Sequence, residues 1–332
     1  MLPNLFYFAT SELSQDAVLC WLLSWADMKH KESHPHLHDV AKDLISLIYR
    51  RAKVEVPIDF SSIDIRKQDG GIDVLCIINK EIAILIEDKV GTKQHSDQLA
   101  RYKDHVFSKL GFAGDKVILV YIQTGDQSDY IEVEKHGYLT LGRQDLLNVF
   151  ESESGKLAKS QSDIFRDFSD YIRQIEDDVQ SYLVLPPSER SWNSWKGFYT
   201  EIQLQLQAGK WDYVANPAGG FLGFWWYFVG TDECEVYLQL EQDKFCFKIS
   251  VDDADKRRDL RQYWYEQISS KCQNYEIKAR RPDRFGNGQY MTVAILDQEY
   301  RIVNSDGFIN MEDTLKILKS AQSVIDGCLS TV

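Results

Sequence analysis

The stretch from Gly71 to Tyr102 constrains the fold more than any other part of the chain. It contains two apolar, β-branched runs, Ile72 to Ile78 and Ile82 to Asp88, separated by three polar residues. Two such runs joined by a short polar loop predict a β-hairpin. In the simplest register Ile78 faces Ile82.

Three charged side chains meet at the end of this predicted hairpin. The register sets Asp73 opposite Glu87, and strand alternation puts Glu87 and Lys89 on one face while Asp88 points away. Buried charges without a partner are costly. Mg²⁺, which takes one or two carboxylates plus water and phosphate oxygens, would resolve that cost. A cross-strand ion pair between Lys89 and either acid is the structural alternative.

A helix is predicted after the hairpin, because the run from Thr92 to Leu110 has apolar residues at helical spacing. Gln98 and Tyr102 lie four positions apart, so they stand one above the other on one helical face. Gln98 is either a site residue or an ordinary polar neighbour of an apolar stripe. The next strand, Lys116 to Gln123, should return parallel to the Glu87 strand.

Together these residues resemble the PD-(D/E)xK nuclease superfamily, and more narrowly its branch with a QxxxY motif. Ile72 stands where the family name has Pro, and the resemblance covers about residues 5–150. It implies an α/β, restriction-endonuclease-like mixed sheet flanked by helices. The residues that carry the resemblance are Asp73, Glu87-Asp88-Lys89, and Gln98 to Tyr102.

The resemblance implies a metal-dependent nuclease that hydrolyses nucleic-acid phosphodiester bonds, with DNA as the first expected substrate and a role in defence, restriction or repair. The alternative is a protein that keeps the nuclease fold but only binds nucleic acid or a partner protein. The implied catalytic residues are Asp73, Glu87, Lys89, Gln98 and Tyr102. The implied ligands of Mg²⁺ or Mn²⁺ are Asp73, Glu87, the carbonyl of Asp88, and Glu12.

Glu12 lies in the first turn of a predicted amphipathic helix, Ser11 to Asp27. An acid at this end of a helix also complements the macrodipole. A second metal candidate follows that helix, since His30, His34, His36 and His38 crowd together. Such tracts bind zinc or nickel, and the hairpin charges would then be structural. Pro35 and the irregular spacing indicate instead a solvated loop between two helices.

The net charge of -13 excludes loose, whole-surface binding to nucleic acid, so any binding requires a local patch. From Lys256 to Arg284 nine basic residues stand against four acidic ones, interleaved with aromatic residues. Phosphate contacts and base stacking use these residue types, although a solvated helix face over core aromatics has the same composition. The candidate nucleic-acid-binding residues are Arg257, Arg258, Arg261, Arg280, Arg281 and Arg284.

Two domains are predicted, with a boundary after residue 185 where Pro186 and Pro187 end a helix expected from Ser162 to Leu183. Residues 1–185 form the nuclease-like domain, which includes strands at Val54 to Ile58 and Ile63 to Lys67. Residues 186–332 form a smaller α+β domain that selects the substrate, binds a partner protein or pairs with a second copy. Six cysteines without CxxC spacing predict reduced core thiols of a cytoplasmic protein. No membrane span or signal peptide is expected.

Overall fold

The computed structural model describes residues 3–92, 98–216 and 219–330. The chain divides into two compact units, Met1–Asp177 and Asp178–Val332. Each unit has a sheet and a hydrophobic core of its own. The predicted boundary after residue 185 lies shortly beyond this division, and the roles assigned to the two domains stay predictions.

The first unit contains a five-stranded mixed sheet with its strands in chain order. The first three strands are antiparallel, and the last two run parallel to the third. The α/β fold and the parallel return of the fourth strand are therefore confirmed. The strands are β1 Ile63–Asp69, β2 Ile72–Ile78, β3 Ile82–Lys89, β4 Val117–Gln123 and β5 Leu139–Gly142.

Helices cover both faces of this sheet, which is why its central strands are apolar on both sides. Alternate residues of β3 enter different cores: Ile84 and Ile86 join the larger one, and Leu85 the smaller one. Packed on the larger core are α1 Glu12–Ser24, α2 Pro35–Arg51, α5 Arg143–Phe150, α6 Glu153–Gln161 and α7 Asp163–Gln180. On the smaller core are α3 Gln98–Ser108 and α4 Ile131–Lys135.

The register of the β2–β3 hairpin is the predicted one, since Ile78 pairs with Ile82 and the pairing continues to Val74 and Ile86. The predicted strand at residues 54–58, however, is wrong, because these residues join no sheet. Pro57 has no N–H to donate to a sheet ladder, which explains the difference. The predicted solvated loop of the histidine tract is also wrong in part, because α2 begins at Pro35 and contains His36 and His38.

The second unit is α+β, as predicted, and contains a six-stranded antiparallel sheet in the order β10-β11-β9-β8-β7-β6. The α-helices of its described residues pack on the sheet around a single core. The strands are β6 Lys210–Val214, β7 Phe221–Gly230, β8 Glu235–Glu241, β9 Lys244–Ser250, β10 Ala279–Arg280 and β11 Tyr290–Leu296. The helices are α8 Trp192–Leu206, α9 Arg257–Cys272 and α10 Met311–Leu329.

None of the six cysteines forms a disulfide bond with another, and five of them are buried. This agrees with the prediction of reduced thiols. Among the described residues, no helix combines the length and the apolar character needed to cross a membrane.

Candidate active site

The candidate site lies at the end of the backbone pairing between β2 and β3. The last paired residues are Val74 and Ile86, one position inside Asp73 and Glu87. The Asp73 carboxylate then accepts a hydrogen bond from the Asp88 N–H at 3.0 Å, so a side chain replaces the next backbone bond. This bond holds the Asp73 carboxylate against β3.

Lys89 brings the charged groups together. Its ammonium forms an ion pair with Glu87 and lies 3.8 Å from Asp73 Oδ2 and 3.7 Å from Glu12 Oε2. It also donates a hydrogen bond to the Asp88 carbonyl oxygen at 3.1 Å. The lysine side chain is 6 % exposed, so three carboxylates surround a largely buried cation.

Glu12 reaches this site from the first turn of α1, which Ser11 caps through the backbone N–H of Ser14. One Glu12 oxygen accepts hydrogen bonds from the Val90 N–H and the Thr92 hydroxyl. Glu12 therefore occupies the favourable end of the helix dipole and also ties α1 to the segment that follows β3.

The Glu87 carboxyl has a strongly altered proton affinity. Burial first, and repulsion from the Asp73 carboxylate second, raise its pKa to about 8. For Lys89, burial alone would lower the pKa, but the attraction of Glu87, Asp73 and Glu12 outweighs it and the pKa is raised. The lysine is therefore charged at neutral pH, and the two facing carboxyl groups favour any additional cation.

The amide and the phenol of α3 lie next to these charges. The Gln98 amide donates a hydrogen bond to the Tyr102 hydroxyl at 2.7 Å. Burial raises the pKa of Tyr102, and the charges of Glu87 and Asp73 add to that rise. The Tyr102 hydroxyl is thus protonated and close to both carboxylates. The part of the predicted helix at residues 93–97 lies outside the described residues.

The acidic groups fit a small divalent cation with few protein ligands. Within the described part of the chain, no three His, Cys, Asp or Glu side chains are arranged to hold a metal ion. Mg²⁺ needs only one or two carboxylates and keeps several waters, so Asp73, Glu87 and the Asp88 carbonyl suit it. Both Glu87 oxygens are buried, and Oε1 forms the ion pair with the Lys89 ammonium.

The histidine tract makes no comparable site. His38 is buried and its Nδ1 lies 3.1 Å from the Trp25 carbonyl oxygen. His30 and His34 pack against the Trp25 ring, with ring centroids 5.1 and 4.7 Å away. These contacts give the tract a packing role around Trp25, and it forms no three-ligand group among the described residues.

A family model described as the PD-(D/E)XK nuclease superfamily matches residues 3–193. The chain belongs to this superfamily. Comparison with curated proteins and with solved structures gave no match. The superfamily match extends beyond the residues 5–150 expected from the motifs, and it indicates a nuclease. It does not cover residues 194–332, which include most of the second unit.

Asp88, the middle residue of the superfamily's ExK motif, points to the opposite face of the sheet. Its Oδ1 accepts a hydrogen bond from the Gln15 amide at 2.6 Å, and Thr124 donates to Gln15 Oε1 at 2.9 Å. Arg143 in turn donates to the Thr124 carbonyl oxygen at 2.7 Å. Burial raises the pKa of Asp88 well above its usual range. Only the carbonyl of Asp88, and not its carboxyl group, is directed toward Lys89.

Two residues near the site were missed by sequence reasoning. Asp16, one turn after Glu12, is buried, and burial together with the Asp73 charge raises its pKa to about 6. The Gln68 amide donates to Asp73 Oδ1 at 3.1 Å and to Asp16 Oδ2 at 3.4 Å. The i, i+4 spacing of Glu12 and Asp16 was the available signal, because it puts both acids on one helical face.

The six candidate arginines of the second unit have different surroundings. Arg257 donates to the carbonyl oxygens of Val251 and Asp252, at the start of α9. Arg280 forms ion pairs with Asp283 and Asp297. Arg284 lines a cavity of about 320 Å³ beside β8 and β9. The remaining three, Arg258, Arg261 and Arg281, lie near one another.

Proposed function

We propose that this protein is a metal-dependent nuclease that hydrolyses phosphodiester bonds in DNA, with Mg²⁺ or Mn²⁺ as its ion and a role in defence, restriction or repair. The observation that supports the proposal most is the convergence of Lys89 with Glu12, Asp73 and Glu87 at the end of one hairpin. Superfamily membership supports the reaction class.

Asp73, Glu87 and the Asp88 carbonyl are the groups that would hold the ion. When bound there, a divalent cation polarises a phosphodiester oxygen and lowers the pKa of a coordinated water. The two carboxylates repel each other without it. The site is therefore better suited to a bound cation than to an isolated ion pair with Lys89.

The remaining groups orient and stabilise the phosphodiester. The Lys89 ammonium, fixed by its carboxylate neighbours, offsets the negative charge that develops on the phosphate in the transition state. Gln98 and Tyr102 are hydrogen-bonded to each other and position the water or the substrate. Glu12 accepts a hydrogen bond from the Val90 N–H and thereby holds the first turn of α1 beside the site.

The test is cleavage of plasmid, single-stranded DNA and RNA by purified protein with Mg²⁺, Mn²⁺ or EDTA. We expect DNA cleavage that requires the ion. Lys89→Ala and Asp73→Asn should each lower the rate by about 100-fold or more, since loss of one transition-state contact has effects of this order. Circular dichroism checks that each variant is folded.

Asp88→Asn is the matched control for Asp73→Asn. Its carboxyl is buried on the other face, where burial raises its pKa, and it accepts one bond from Gln15, which an Asn oxygen can also accept. Cleavage by this variant should stay within a few-fold of the original protein. An unchanged rate in Lys89→Ala, or binding of DNA without cleavage under every condition, would overturn the proposal in favour of a non-catalytic binding protein.

A further inference from the structure

Two arginines of the second unit stack on one phenylalanine, and a third lies near them. Arg258 and Arg261 lie one turn apart on α9, and Arg281 and Phe285 lie in the segment between β10 and β11. The guanidinium carbons of Arg261 and Arg281 are 4.6 and 4.2 Å from the centroid of the Phe285 ring. We call Arg258, Arg261 and Arg281 the arginine cluster.

The arginine cluster lacks a carboxylate partner in the part of the chain that the structure describes. Among the described residues, no acidic group lies within ion-pair distance of any of the three. The contrast with their neighbours is clear, because Lys256 pairs with Glu233 and Arg280 with Asp283. Burial lowers the pKa of Arg261, and repulsion from Arg281 and Arg258 lowers it further. Three positive charges therefore lie near one another with no acidic partner within residues 3–92, 98–216 and 219–330.

The stacking fixes how the arginine cluster is presented. A guanidinium group that lies over an aromatic ring is held by a cation–π contact, while the N–H groups on its edge stay available as donors. Arg261 uses one of these donors on the Gly286 carbonyl oxygen, which holds the 281–289 segment against α9. Rigid guanidinium groups are well suited to phosphate oxygens, because they bind them bidentately and lose little freedom.

We propose that the arginine cluster binds the phosphodiester backbone of a nucleic acid, without reading its sequence. The choice of a nucleic acid as the occupant rests on the proposed nuclease function. On a protein with a net charge of -13, three unpaired arginines supply the local positive patch that a polyanion requires. Phe285 contributes as a support for the arginines rather than as a platform for bases, because guanidinium groups already contact its ring.

The test measures binding without cleavage. The full-length protein in EDTA is titrated into fluorescently labelled single-stranded and duplex oligonucleotides of two unrelated sequences, at several salt concentrations, and anisotropy is followed. The variant is Arg261→Gln combined with Arg281→Gln. We expect weaker binding to both sequences alike and a salt slope reduced by about 2, because each lost phosphate contact lowers that slope by about 1.

The matched control is Lys256→Gln combined with Lys316→Gln. It removes the same charge from the same unit, but both lysines are exposed and already paired with acids. Its salt slope should equal that of the original protein. Arg258→Gln is a second variant that leaves the contacts of Phe285 in place, and it should lower the slope by about 1.

Equal affinities and slopes for the arginine variants and the lysine control would overturn the inference. Polyglutamate is the probe for an acidic protein partner. If the arginine variants lose binding to polyglutamate but bind the oligonucleotides as the original protein does, the inference is overturned in favour of such a partner. The outcome is separate from that of the nuclease proposal: Lys89→Ala should lose cleavage and keep binding. The arginine variants should keep kcat and raise KM.

Discussion

At the scale of single residues, Glu87 makes the stability of the metal-free protein depend on pH. Its pKa is raised from an ordinary 4.5 to about 8, so the folded state binds the proton more tightly than the unfolded state. The resulting stabilisation is complete below about pH 4.5 and is lost as the pH rises through about 8. Metal-free protein should therefore melt at progressively lower temperature between pH 6 and pH 8.

Divalent cations should reverse this trend, because a cation bound by Asp73 and Glu87 stabilises the ionised form. Calorimetry in EDTA and in Mg²⁺, at pH 6 and at pH 8, measures the melting temperature. Mg²⁺ should raise that temperature more at pH 8 than at pH 6. Glu87→Gln should reduce the metal-free slope, to which Asp16 and Asp88 with their raised pKa values also contribute, and should abolish the Mg²⁺ effect. Glu81→Gln, in the exposed hairpin loop, should leave both unchanged. A slope that Glu87→Gln does not reduce would contradict the assignment.

At the scale of elements, the turn between β1 and β2 determines how closely α3 approaches the site. Gly70 has φ +63°, and a Cβ there would lie 2.5 Å from the ring of His105, which Asp69 holds at 3.2 Å. Gly70→Ala should therefore cost about 1–3 kcal/mol of stability through left-handed backbone strain, with displacement of α3 in addition. Thermal melts measure the loss, and the cleavage rate should fall because Tyr102 moves with α3.

Gly114→Ala, just before β4, is the control for Gly70→Ala, because a Cβ at Gly114 meets no atom within 4 Å. It should change neither the melting temperature nor the cleavage rate appreciably. If Gly70→Ala also leaves both quantities unchanged, the close packing of α3 on the turn has no role in holding Tyr102.

The hairpin could be predicted from sequence because its constraints are local. Alternation and a three-residue loop determine which residues face each other, so the positions of Asp73, Glu87 and Lys89 followed directly. The approach of Gln15 and Thr124 to Asp88 could not be predicted, since these contacts join residues far apart in the chain. The strand prediction at residues 54–58 was wrong for a local reason. The β propensity of this segment was outweighed by Pro57, which has no N–H to donate to a sheet.

At the scale of the whole molecule, two units with separate cores should give two unfolding transitions. Phe150 belongs to the core of the first unit and Phe224 to that of the second, and both are fully buried. Truncating a buried Phe to Ala typically costs about 3–5 kcal/mol. Phe150→Ala should therefore lower one calorimetric transition and Phe224→Ala the other.

Mg²⁺ identifies which transition belongs to the catalytic unit, because a ligand stabilises only the unit that binds it. The transition lowered by Phe150→Ala should rise with Mg²⁺, and the one lowered by Phe224→Ala should not. The two variants are matched in residue type and burial, so each controls for the other. A single transition, shifted equally by both, would contradict the independent unfolding of the two units.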